Sequence, residues 1–155
     1  KTAALFLAAC EVGPIVAGMG ADERAALRSY GLNLGLAFQL VDDVLDYGGN
    51  ANDLGKNVGD DFREGKITLP VLLAYRRGSE QERAFWRESL EKGDNGGDRL
   101  DHARTLIARH GALNDTIGRA RHFGAIARDA LAPMPASAQK TALLEVVDFC
   151  ISRLN

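Results

Sequence analysis

The sequence predicts an all-α protein. Apolar residues recur at helical spacing over nearly the whole chain, and alternating apolar and polar runs bounded by turns are absent. Clusters of glycine and proline cut the periodic stretches into lengths that suit helices.

The elements follow in order. Residues 1–20 form a first helical segment, interrupted at "GPIVAGMG", where Pro14 and the glycines are expected to bend or end it. Asp22 is the expected N-cap of a second helix running to about Tyr47. Its apolar residues Leu27, Tyr30, Leu34, Ala37, Val41 and Val44 mark one buried face, and "GGN" at 48–50 stops it. A loop rich in Gly, Asp and Lys reaches about Gly65, and "ITLPVLLAYRRG" starts a short helix ending at Gly78. Two further helices span about 79–92 and 98–109, joined by "GDNGGD". Leu113, Ile117, Ala120, Gly124, Ala127 and Leu131 form one stripe, and Leu143, Val147, Cys150 and Leu154 another. The turn "APMPAS" separates them.

Composition narrows the function classes. A chain of 155 residues suits one domain, and a formal charge of -2 from 19 basic and 21 acidic residues provides no basic field for nucleic acid. Cys10 and Cys150 are far apart and in no metal-like spacing, which suits a reducing compartment and makes the cytoplasm the expected location. The longest apolar stretches, such as "ITLPVLLAY" at 67–75, fall short of the roughly 20 residues of a membrane span. The chain opens on Lys1, already in the body of a helix, so it is expected to be part of something longer.

The chemistry concentrates in "FQLVDDVLDY", residues 38–47. At about 100° per residue, Gln39, Asp42, Asp43 and Asp46 fall within an arc of roughly 100°, opposite the Tyr30-to-Val44 stripe. Gly31 and Gly35 lie on or beside this arc and leave room for a ligand or for a closely packed helix. Two carboxylates ~5 Å apart repel by on the order of 3 kcal/mol at an effective dielectric of about 20. The negative end of the helix dipole adds to that repulsion. A divalent cation removes the difficulty, and Mg²⁺ suits hard oxygen ligands shared with phosphate. A solvated acidic face is the plainer explanation, but Phe38, Leu40, Val41, Val44 and Leu45 surround these acids with apolar side chains. The following loop, "DLGKNVGDDFREGKITLP", supplies counter-charge in Lys56 and Lys66, set among glycines that let the backbone approach an anion.

"YGLNLGLAFQLVDDVLDY", "LGKNVGDDFREGKITLPVL" and the opening "KTAALF" together resemble the trans-isoprenyl (polyprenyl) diphosphate synthases. "HGALNDTIGRARHFGAIARDALAPMPAS" and "LLEVVDFCISRL" look like that family's last helices, and the long-chain octaprenyl and decaprenyl enzymes are nearest in style. The resemblance implies that residues 1–155 are the C-terminal half of a single all-α prenyl synthase domain. It implies condensation of an allylic prenyl diphosphate with isopentenyl diphosphate to a longer polyprenyl diphosphate.

By the same resemblance Asp42, Asp43 and Asp46 form the second aspartate-rich motif and hold Mg²⁺ against the allylic diphosphate. Lys1, Lys56 and Lys66 bind the departing diphosphate, Thr2 and Gln39 lie along the reacting carbon, and Asp61 supports the lysine-bearing loop. A homodimer and peripheral membrane contact through the product are implied as well. The chain has no other D-D-x-x-D, and "YRRG" at 75–78 is not the arginine pair that follows the family's first motif, so the piece alone is expected to be inactive.

Two other readings compete: a class I terpene cyclase, which "GKITLP" after the acids disfavours, and a non-catalytic helical subunit or interaction module. His102, His110 and His122 lack metal spacing, Phe85 and Trp86 read as helix packing, and both cysteines read as core.

Overall fold

The computed structural model describes residues 1–48, 58–91 and 97–154. They form eight helices and no strand among the described residues: α1 (Thr2–Val16), α2 (Ala21–Gly48), α3 (Asp60–Arg63), α4 (Leu69–Arg77), α5 (Glu80–Glu91), α6 (Gly97–Arg109), α7 (Ala112–Ala130) and α8 (Ala138–Ser152). No helix among the described residues is long and apolar enough to cross a membrane. The chain divides into two compact units, Lys1–Val41 with Gly118–Asn155 and Asp42–Ile117.

In the first unit, α2 buries the expected stripe, with Tyr30, Leu34, Ala37 and Val41 all inaccessible, and α7 and α8 contribute Ala120, Ala127, Leu131, Val147 and Cys150. The Tyr30 hydroxyl donates to the Leu143 carbonyl at 2.8 Å, which satisfies a buried polar group and ties α2 to α8. Ser137 caps α8 by accepting the Lys140 N–H at 3.1 Å. α1 ends at Val16 within "GPIVAGMG", as expected, two residues after the buried Pro14 and just before Gly18 with φ of 65°. One local expectation is corrected here. Asp22 is not the N-cap; it lies with Glu23 inside the first turn of α2, where its charge still favours the positive end of the helix.

Gly31 and Gly35 are explained by α1. A methyl on Gly35 would sit 2.7 Å from Ala3 Cα and 2.9 Å from Phe6 Cβ, and one on Gly31 would sit 2.6 Å from the Phe6 carbonyl oxygen. The room left by these glycines is thus taken by a closely packed helix. The Phe6 and Phe38 rings pack at 5.5 Å, and Glu11 pairs with Arg28 at 2.9 Å. The other side of α1 stays apolar and open, with Leu5 72% and Val16 81% exposed.

In the second unit the core holds Tyr47, Phe62, Val71, Leu73, Ala74, Trp86, Ala103, Leu106, Ile107 and Ala112. Thr68 precedes α4 in extended conformation, Pro70 occupies its first turn, and Arg76 and Arg77 sit in its last turn before Gly78. A reciprocal cap opens α5: the Ser79 N–H donates to Glu82 at 2.7 Å and the Glu82 N–H to Ser79 Oγ at 3.3 Å. The loop expected to reach Gly65 contains the one-turn helix α3, which is too short to leave a periodic signal. Residues 49–50 of "GGN" and 93–96 of "GDNGGD" lie outside the described residues.

Candidate functional site

The acidic end of α2 is held in the second unit by the starts of two helices. Asp46 takes the N-terminus of α3: its two carboxylate oxygens accept the N–H groups of Asp60 and Asp61 at 3.1 and 3.2 Å. Its backbone carbonyl accepts the Gly59 N–H at 2.8 Å. Burial and the neighbouring Asp61 charge push the Asp46 carboxyl up to about 6, against the opposing pull of the two backbone N–H groups. Asp43 is 5% exposed and accepts a long hydrogen bond, 3.4 Å, from the Leu69 N–H at the start of α4. Asp42 is half-buried, so it is the more accessible member of the adjacent pair. No three His, Cys, Asp or Glu side chains converge on one point among the described residues.

Lys66 follows α3 on an exposed turn. Its ammonium pairs with Asp61 at 2.8 Å and with Glu64 at 2.7 Å, and these hydrogen bonds push it further above the ordinary lysine range. The Lys66 N–H also donates to the Asp61 carbonyl at 2.9 Å. Asp61 thus braces the lysine turn through both main chain and side chain. Lys56 lies outside the described residues.

A second pair of expected residues meets in the first unit. The Thr2 hydroxyl donates to Gln39 Oε1 at 2.9 Å across α1 and α2, at the height where Gly35 admits the α1 backbone. Lys1 is exposed just before α1, and its carbonyl accepts the Leu5 N–H at 3.3 Å.

Sequence reasoning missed Gly59 and Glu64. Gly59 precedes α3 with φ of 84°, and a Cβ there would lie 2.5 Å from the Leu100 methyls. Glycine directly before a pair of acids is a helix-start signal, which could have revealed α3. Glu64 lies two positions before Lys66, close enough to have been weighed as its partner. An apolar pocket of about 180 Å³, lined among others by Val71, Leu72, Trp86 and Leu90, contains none of the expected site residues.

The sequence profile of the polyprenyl synthetase family matches residues 1–107, which carry every candidate site residue named above. The chain belongs to that family. It is 43% identical to an octaprenyl diphosphate synthase of Haemophilus influenzae over 99% of this chain and 46% of the relative. Its fold matches a decaprenyl diphosphate synthase from Rhodobacter capsulatus with a TM-score of 0.92 at 47% identity, covering 100% of this chain and 48% of that one. It also matches a polyprenyl synthase from Caulobacter crescentus complexed with calcium and isoprenyl diphosphate, with a TM-score of 0.88 at 49% identity, covering 98% of this chain and 46% of that one. The chain therefore spans about half the length of these relatives.

Proposed function

We propose that this chain supplies one side of the diphosphate-handling site of a polyprenyl diphosphate synthase, which joins an allylic prenyl diphosphate to isopentenyl diphosphate. The observation that carries this reading is the end of α2, where an accessible Asp42 and a buried Asp43 lie in the same compact unit as the Lys66 turn braced by Asp61. The related Caulobacter enzyme, complexed with calcium and isoprenyl diphosphate, supports a divalent cation and a prenyl diphosphate as the partners.

The donor set fits Mg²⁺. The ion typically takes only one or two carboxylates and completes its shell with water and phosphate oxygens, so a site where three acids do not converge still suits it. Asp42 and Asp43 would hold it, and when bound it would neutralise charge on the diphosphate. The remaining work falls to the chain's own groups. Lys66 and Lys56 would place ammonium protons against the departing diphosphate oxygens, a charge-assisted contact that strengthens as the carbon–oxygen bond breaks. Lys66 would exchange its contacts with Asp61 and Glu64 for that purpose. Lys1 adds a further cation beside Thr2. The oxygens of Thr2 and Gln39 would face positive charge at the allylic carbon, and their mutual hydrogen bond already fixes them relative to each other. A homodimer, a cytoplasmic setting and contact of the apolar product with a membrane surface belong to the same proposal.

The test uses the chain itself. Mg²⁺ with inorganic diphosphate should raise its melting temperature by about 5–10 °C at a hundredfold excess over Kd. Either component alone should give much less. The same midpoint with and without the pair would refute the reading.

A further inference from the structure

We infer that Asp46 is a positioning residue: it clips α3 to the end of α2 and thereby sets where Lys66 is presented. The inference rests on the diphosphate-binding reading above and goes beyond it, since it removes one of the three acids from the group expected to hold metal.

The clip is continuous. Both carboxylate oxygens of Asp46 already accept backbone N–H groups, from Asp60 and from Asp61. The main-chain carbonyl of the same residue accepts the Gly59 N–H. One residue therefore satisfies three successive N–H groups at a helix start, groups that no partner within α3 can serve. The turn entering α3 is seated as well, because Gly59 is buried in left-handed conformation against Leu100. From Asp61 the path runs directly on: its carboxylate receives the Lys66 ammonium and its carbonyl the Lys66 N–H. Gly65, with φ of 69°, makes the reversal that brings Lys66 back onto Asp61. Displacing the Asp46 carboxylate would release α3 from α2 and let the lysine turn drift. A metal ligand at this position would have to turn away from the two N–H groups and leave them without partners.

The roles predict different behaviour. A metal ligand, when removed, raises the Mg²⁺ concentration needed for diphosphate binding. A clip, when removed, weakens diphosphate binding only as far as Lys66 contributes to it, and frees the N–H groups of 60 and 61. The experiment compares Asp46→Ala, Asp46→Asn, Asp42→Ala, Lys66→Ala and the Asp46→Ala/Lys66→Ala double variant in the 155-residue chain. Ligand-free hydrogen exchange is measured at 59–66, and binding of inorganic diphosphate is measured across a Mg²⁺ titration.

Asp46→Ala should speed exchange at 60 and 61 by about 10-fold to 100-fold, the scale of hydrogen bonds to a charged acceptor, with Asn, which keeps one acceptor, in between; the 59 N–H keeps its main-chain acceptor. It should weaken diphosphate binding severalfold with the Mg²⁺ midpoint unchanged, whereas Asp42→Ala shifts that midpoint. In the Lys66→Ala background the Asp46 substitution should cost nothing more. If Asp46→Ala shifts the Mg²⁺ midpoint as Asp42→Ala does, or adds its full effect on top of Lys66→Ala, the inference is overturned. Should Asp46→Ala fail to fold, the near-isosteric Asp46→Asn decides by the same criteria. Wild-type chain that binds no diphosphate overturns the parent reading and the role assigned to Lys66, while the ligand-free exchange still reads the clip by itself.

Discussion

Gly35→Ala offers a direct test of how α1 is seated. The added methyl would lie 2.7 Å from Ala3 Cα and 2.9 Å from Phe6 Cβ. Carbon atoms normally meet at about 3.5–4.0 Å, so α1 must retreat by roughly 1 Å. Overpacking of this kind costs about 1–3 kcal/mol, and replacing a helical glycine by alanine returns up to about 1 kcal/mol. With the full return the net loss is therefore about 0–2 kcal/mol, or up to roughly 8 °C in melting temperature for a chain of this size. Gly118→Ala is the matching control, since Gly118 also lies inside a helix but has nothing within 4 Å of the new methyl. It should gain about 1 kcal/mol. Gly31→Ala meets the Phe6 carbonyl oxygen at 2.6 Å, and the double Gly31→Ala/Gly35→Ala variant should cost less than the sum, because one retreat of α1 relieves both clashes. Differential scanning calorimetry on the four variants reads these values. A Gly35→Ala melting point at or above that of Gly118→Ala would show that α1 does not pack as closely as this reasoning requires.

Other outcomes follow from the site and from the helix cap. Without metal, Asp46→Ala should lower the melting point by stranding two N–H groups; an unchanged midpoint in thermal melts would refute the assignment. Lys66→Ala should weaken inorganic diphosphate binding with Mg²⁺ present and Lys66→Arg should restore it only in part; calorimetric titration showing wild-type affinity in the Ala variant would remove Lys66 from the site. Glu82 is held down at about 2 by the Ser79 N–H and, beyond it, by His110 and Arg109. Because this carboxyl is depressed in the folded state, its stabilisation is full above about 4.5 and is lost as pH falls toward about 2. Melting points of Glu82→Gln should accordingly fall less steeply across that window than those of the wild type, and parallel curves would contradict the cap.

The parts that were legible in the sequence are those where burial imposes a period. The α2 stripe could be read because Tyr30, Leu34, Ala37, Val41 and Val44 repeat at helical spacing, and all are buried. Trp86 was legible for a similar reason and stands in the core beside Phe62, their rings 6.3 Å apart. Helix α3 was missed because four residues make a single turn and carry no period. The resemblance put Thr2 and Gln39 along one reacting carbon but did not pair them; their hydrogen bond follows from the two glycines that bring α1 against α2. Lys66 was read as counter-charge for a ligand. Its tie to Asp61 and Glu64 depends on a left-handed turn at Gly65 that spacing alone does not specify.

The electrostatic puzzle of the three acids divides once their partners are known. Repulsion among Asp42, Asp43 and Asp46 was reckoned as though each carboxylate faced the others alone, and on that basis a cation had to answer for all three. Two of them instead face helix starts, Asp46 at α3 and Asp43 at α4, where backbone N–H groups concentrate positive partial charge. For Asp46 that compensation is incomplete: burial and the Asp61 charge still hold its carboxyl near 6, well above the ordinary aspartate range. An acid so placed is retained at a cost, and the arrangement it secures is the turn carrying Asp61 and Lys66. Under the proposed function, metal holding then falls to Asp42 and Asp43. On the proposed reading, metal holding and lysine positioning fall to different members of one D-D-x-x-D motif.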